Sequence, residues 1–282
     1  MKKLYLFPNM VTACALICGL FVIFKVNMIE PGAGYYEVMK ISAFLLILSA
    51  FLDFIDGAVA RILHAESEFG FVFDSLADAV SFGVAPSVLV LKSLSLEPGT
   101  ALSFIVTISA MIFSVCGILR LVRFNVKKAE AKGNLIEMTA QKKNFTGLPI
   151  PAAALACVSA NLFLLSPHFE KIFGSPINQN LQGIILACVM AVLGFFMVSK
   201  WKFPSLKALN LSMKPFPLVL SAVLVMGGLI FGGIYFFPVA LLGISWGYFL
   251  VGGTLSLIRY IAGKKSKTLE DFEPEEEEFV EK

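Results

Sequence analysis

Charge is scarce in this sequence. Only 15% of its 282 residues are Asp, Glu, Lys or Arg, while 57% are hydrophobic; a soluble domain carries about 25% charged residues. Together with a mean hydropathy of +0.82, that shortage excludes a soluble globular domain. The net charge of +3 is too small to suggest a nucleic-acid partner, and none is expected. Paired cysteine motifs are also missing. Cys14, Cys18, Cys116, Cys157 and Cys188 all lie in apolar runs, and none forms a C-x-x-C pair. Neither a zinc site nor a disulfide framework is therefore suggested, and the thiols read as small buried hydrophobes. No internal repeat is evident. Leu is missing after Leu269, where a solvated, disordered acidic end rich in Glu275 to Glu278 is expected.

Long apolar runs are what the chain has in quantity. About 20 apolar residues cross a bilayer as a helix. Candidate spans are 9–28, 36–62, 70–92, 101–124, 149–167, 181–200, 216–233 and 236–260. The expected fold is an all-α polytopic membrane protein with about eight transmembrane helices. Turn chemistry separates the spans at Pro31-Gly32, Glu97-Pro98-Gly99, Ser166-Pro167 and Ser175-Pro176. The N-terminus resembles a lipoprotein signal at Val11-Thr12-Ala13-Cys14, but the apolar run follows Cys14, whereas a signal needs it before the cut. An uncleaved first span is expected.

Lys and Arg set the orientation. Lys2 and Lys3 precede span one. Arg120, Arg123, Lys127, Lys128, Lys132, Lys142 and Lys143 lie between or beside spans four and five. Lys200, Lys202, Lys207 and Lys214 follow span six, and Arg259, Lys264, Lys265 and Lys267 end span eight. The opposite loops hold few cations, so the positive-inside rule puts both termini in the cytoplasm.

Against this background the stretch from Asp53 to Asp78 stands out. Asp53, Asp56, Asp74 and Asp78 sit among Leu, Phe, Val and Ala, on two apolar segments joined by the short polar link His64 to Glu68. A charge at the middle of a membrane helix costs about 2.5–3.5 kcal/mol, so four acids ask for a compensating cation. Asp53 and Asp56 are three apart, and Gly70, Asp74 and Asp78 follow at steps of four, so each helix carries a carboxylate stripe on one face. Antiparallel helices let the stripes face each other. Gly57, Ala60 and Gly70 are small and permit close approach. Clustered carboxylates without matching cations suit a hard divalent ion. Two such ions would neutralise four charges, the arrangement phosphoryl transfer uses. In the expected orientation Asp53 and Asp56 lie near the cytoplasmic end of span two. Asp74 lies about 6 Å inside Gly70, at about 1.5 Å per residue.

The pattern D-x2-D-G-x2-A-R-x8-G-x3-D-x3-D, complete from Asp53 through Asp56, Gly57, Ala60, Arg61, Gly70 and Asp74 to Asp78, resembles the signature of the CDP-alcohol phosphotransferases. The resemblance implies a six-helix catalytic core over residues 1–200. A further helix pair at 201–263 and the acidic tail at 264–282 would lie outside it. It implies CDP-diacylglycerol as donor and CMP as leaving group, with Mg²⁺ or Mn²⁺, two ions in number, held by Asp53, Asp56 and Asp74. Asp78 would act as general base, as a metal ligand, or both. Gly57 and Ala60 would flank the nucleotide beside Gly70, and Arg61 would pair with a phosphate. Pro8, Asn9 and Thr12 form a P-N-x-x-T segment like that of related phosphatidyltransferases, with Asn9 the stronger candidate for the nucleotide.

The acceptor is read from Arg120 to Asn125, R-L-V-R-F-N. Arg120 and Arg123 are three apart and share a face, as a fork for a carboxylate requires; by composition alone a positive-inside cluster is the preferred reading. This stretch, with Phe145-Thr146-Gly147-Leu148-Pro149-Ile150-Pro151 after it, looks like the phosphatidylserine synthase branch and implies L-serine. Lys142 and Lys143 either steer an anion or are solvated, and His64 is expected to be a bystander. Spans seven and eight lack acids, and their glycine pairs suggest packing or a homodimer. The expected setting is a bacterial-type inner membrane, amid membrane lipid, with the site facing the cytoplasm. The alternatives are another acceptor (glycerol 3-phosphate, inositol phosphate or choline) and, from a different class, a cation-coupled transporter, whose acids would spread over several spans.

Overall fold

In a computed structural model, the described residues are 6–28, 35–62, 67–97, 99–130, 144–199, 201–204 and 236–262. They form α1 (Leu6–Asn27), α2 (Tyr35–Ile62), α3 (Glu68–Asp78), a π-helical turn (Ala79–Val84), α4 (Ala85–Ser93), α5 (Ala101–Glu130), β1 (Asn144–Thr146), α6 (Ile150–Leu164), α7 (Pro167–Phe173), α8 (Gln179–Val198), β2 (Lys202–Pro204) and α9 (Phe237–Ala262).

The ends of these helices follow local chemistry. Pro8 falls in the first turn of α1, where its missing N–H leaves no helical bond unmade. Ser67 caps α3 by accepting from the Gly70 N–H at 3.0 Å. Ser166 and Asn178 do the same for α7 and α8. Directly after Asp78 the backbone widens into the π-turn, where the Ala85 N–H reaches the Val80 carbonyl. Pro86 follows in the first turn of α4. Single π-turns inside longer helices are frequent at functional sites.

Six described helical segments are long and apolar enough to span a bilayer: Asn9–Asn27, Tyr36–Gly57, Glu68–Ser93, Ala101–Val126, Gln179–Val198 and Phe237–Ile258. They correspond to six of the expected spans. The span expected at 149–167 is shorter: α6 has 15 residues, and it qualifies only when taken with α7, from which it bends by 60°. The span expected at 216–233 lies outside the described residues. The acidic tail lies outside them as well. The described residues are nearly all helical, and the exception among them is a pair of three-residue strands, antiparallel, with Phe145 opposite Phe203.

Apolar side chains are distributed as lipid contact demands. Phe51 and Phe54 on α2 are 58% and 63% exposed, while Asp56 on the same helix is 4% exposed. The helix is inverted relative to a soluble one, with carbon outside and carboxylate inside. Two cores lie within the bundle. One holds Phe82, Phe113, Ile150, Met190 and Phe203 and includes Phe249 of α9. The other joins Val22, Met39, Leu46, Leu89 and Leu162.

Candidate active site

The two carboxylate stripes meet. Ligand oxygens of Asp53 and Asp56 on α2 and Asp74 on α3 all lie within 4.8 Å of one another. Asp78 stands outside that group of three but close to it: Asp53 feels the charge of Asp78, then Asp74, then Asp56. Three oxygen donors at this separation, on two rigid helices, fit a hard divalent cation. The expected convergence of α2 and α3 is thus observed.

α1 supplies the first supports. Thr12 is buried, and its hydroxyl donates to Asp56 Oδ2, fixing one lone pair and so the direction of the other. One turn earlier, Asn9 lies against Gly70: a Cβ at Gly70 would sit 2.8 Å from Asn9 Oδ1 and 3.0 Å from Ser67 Oγ. Only glycine lets α1 and α3 approach so closely there. Gly57 is exposed, and a Cβ there would meet nothing within 4 Å, so the helix face beside Asp56 is open. The side chains of Ala60 and Arg61, in the last turns of α2, and the residues His64, Lys142 and Lys143 lie outside the described residues.

The two arginines of α5 divide. Arg120 is 9% exposed and interacts electrostatically with Asp78. Its Nε has no hydrogen-bond partner among the described residues, a costly state for a buried charged donor. Arg123 turns to the end of α8, donating from Nη1 to the Val198 carbonyl at 2.7 Å and from Nη2 to the Ser199 carbonyl at 3.3 Å. A cation there satisfies the orphan carbonyls of a helix terminus and complements its dipole. Gly147 closes this corner. Its φ is +81°, and a Cβ would meet the Met197 carbonyl and sit 3.0 Å from Arg123 Nη2. Its N–H donates to the Trp201 carbonyl at 2.7 Å. The G-L-P stretch thereby ties β1, β2 and α8 to the arginine-bearing end of α5.

One link was not anticipated: Asn125 Nδ2 donates to Ser75 Oγ at 2.9 Å, joining α5 to α3 between Asp74 and Asp78. The Thr12 bond to Asp56 was legible only in part. Thr12 is three residues from Asn9 and so shares its face, but nothing local names Asp56 as its partner.

The sequence profile of a family described as CDP-alcohol phosphatidyltransferase matches residues 5–198. The chain belongs to that family. Among CDP-alcohol phosphatidyltransferase relatives, a CDP-diacylglycerol–serine O-phosphatidyltransferase of Helicobacter pylori strain J99 is 33% identical over 261 residues, covering 92% of this chain and 93% of its own length. One from Bacillus subtilis is 34% identical over 71% of this chain and 90% of its own. One from Methanocaldococcus jannaschii is 36% identical over 64% and 71%. The family match takes in the acids of α2 and α3 and ends before α9.

Proposed function

We propose that this CDP-alcohol phosphatidyltransferase moves the phosphatidyl group of CDP-diacylglycerol onto the hydroxyl of L-serine, giving phosphatidylserine and CMP. The observation that carries the acceptor half is the buried Arg120 guanidinium beside Asp78, with its Nε unsatisfied among the described residues. An anionic acceptor supplies the missing partner, and a carboxylate matches a guanidinium in shape and charge. The names of the relatives support serine as that acceptor.

The residues then take these roles. Asp53, Asp56 and Asp74 would hold divalent metal, Mg²⁺ or Mn²⁺, as two ions if Asp78 also ligates. When bound, the metal neutralises charge on the pyrophosphate and on departing CMP. Thr12 orients Asp56. Asn9, Gly57, Ala60, Arg61 and Gly70 line the donor's side: Gly57 by its open face, Asn9 by its place against Gly70, and Ala60 and Arg61 by their motif positions. Arg120 holds the serine carboxylate, and Asp78 takes the proton from its hydroxyl. The serine oxygen then bonds to the phosphorus attached to diacylglycerol, and the phosphorus–oxygen bond to CMP breaks, its electron pair leaving with CMP. Arg123 secures the end of α8 and reaches the acceptor only through its place beside Arg120. Lys and Arg clustering near this end of the bundle supports a site at the cytoplasmic face of an inner membrane. The expected homodimer rests on the glycine pairs of the last two spans and is read from the mass of the solubilised protein.

The experiment is a transfer assay with labelled CDP-diacylglycerol, divalent metal and a panel of acceptors: L-serine, glycerol 3-phosphate, inositol phosphate and choline. Release of CMP and a serine-containing lipid with serine alone is the expected result. Equal transfer to a phosphorylated acceptor would refute the acceptor assignment.

A further inference from the structure

α9 begins at Phe237, beyond the family match, which ends at residue 198. Its packing is nonetheless that of a core helix. Phe249 meets Phe196 of α8 edge-on, with centroids 5.0 Å apart. Trp246 Nε1 donates to the Ala156 carbonyl of α6 at 3.1 Å. The buried hydroxyls of Ser245 and Ser159 are 2.8 Å apart. These contacts fix the rotation of α9 about its axis. In that rotation Tyr248 lies over β2, its ring 6.4 Å from that of Phe203. Tyr248 also interacts electrostatically with Arg120, the guanidinium that faces Asp78.

We propose that α9 closes the acceptor side of the active site and that Tyr248 is a positioning residue for Arg120, holding its guanidinium toward the acceptor carboxylate. This rests on the reading of Arg120 as the acceptor's partner. An arginine side chain has many rotamers, and a buried one must be held by acceptors or aromatic faces to keep a single direction. A phenol supplies both: an oxygen that accepts an N–H and a ring face that attracts a cation. The donor's side is built from α1, α2 and α3, whereas the contacts that set the rotation of α9 are made to α6, α8 and β2.

The test uses the full-length enzyme in lipid nanodiscs. Tyr248→Phe keeps the ring and removes the hydroxyl. The KM for L-serine is expected to rise about tenfold, as for loss of a hydrogen bond to a charged group. The KM for CDP-diacylglycerol and kcat should stay within about twofold, since the donor contacts and the proton acceptor are unchanged. Arg120→Lys is measured alongside and should raise the same constant. A normal serine KM in Tyr248→Phe with a raised one in Arg120→Lys would overturn the role of Tyr248 and leave the Arg120 reading standing. An unchanged serine KM in Arg120→Lys would overturn the reading on which both rest. A parallel rise for both substrates in Tyr248→Phe would mark a general packing defect and overturn the proposal. A second readout is independent of the folded fraction: the ratio of rates with L-serine and L-serine methyl ester. It should fall toward one in Tyr248→Phe, and an unchanged ratio overturns the proposal.

Discussion

At the scale of single residues, the four acids differ in what surrounds them. Asp53, Asp56 and Asp74 share one set of ligand oxygens, whereas Asp78 stands beside Arg120. A base needs a place next to the acceptor, and the proposed function puts the acceptor at Arg120, beside Asp78. Asp78→Asn should lower kcat by at least about a hundredfold, the usual contribution of a general base, with CDP-diacylglycerol binding kept within a few fold. Equilibrium binding of the liponucleotide beside single-turnover rates would check this, and lost binding with intact chemistry would contradict it. Thr12 makes a different prediction. Thr12→Val is nearly isosteric but removes the donor to Asp56, a bond to a charged group worth about 1.5–3 kcal/mol. The Mn²⁺ concentration for half-saturation, followed by electron paramagnetic resonance, should rise about tenfold or more. Unchanged Mn²⁺ affinity would show that the hydroxyl does not orient the ligand.

At the scale of elements, β1, β2 and the ends of α5 and α8 form one joint. Gly147 is its pivot because no other residue meets both demands on it: a positive φ and a carbonyl oxygen standing where a Cβ would clash. Gly147→Ala should destabilise the protein by about 1–2 kcal/mol from the left-handed backbone alone, and more from the contact with Met197. A lower thermal midpoint in detergent is the expected readout, with the serine KM rising as Arg123 loses its seat. Gly57→Ala is the contrast. The space beside Gly57 is open, so the midpoint should hold or rise, by no more than the ~1 kcal/mol that Ala gains over Gly in helix propensity. The KM for CDP-diacylglycerol should rise, because a methyl would stand on the face assigned to the nucleotide.

At the scale of the whole molecule, a membrane bundle carries four acids near one another and few cations among them. Their mutual repulsion opposes folding, and divalent metal relieves it. Metal that binds the folded state alone stabilises by mass action, about 2.7 kcal/mol at a hundred times its dissociation constant. The thermal midpoint should therefore rise with Mg²⁺ or Mn²⁺ and fall with a chelator. In Asp74→Asn that dependence should shrink. A midpoint indifferent to metal in the native protein would leave the carboxylate cluster without its assigned ion.

The sequence by itself determined the membrane class, six of the spans and the pairing of acid stripes on α2 and α3. All three depend on local quantities: apolar length, helical period and the cost of charge in lipid. The eight-residue signature told the family for the same reason, since its positions lie on two helices adjacent in the chain. Only the tertiary structure decided that Arg120 and Arg123, three residues apart on one helix, have different partners. It also decided that Thr12 meets Asp56, that Asn125 meets Ser75, and that Tyr248 of α9 interacts electrostatically with Arg120. Those pairings depend on how each helix is rotated against neighbours far away in the chain. Packing of side chains such as Phe196, Phe249 and Ile150 sets that rotation, and no periodicity within a single helix encodes it.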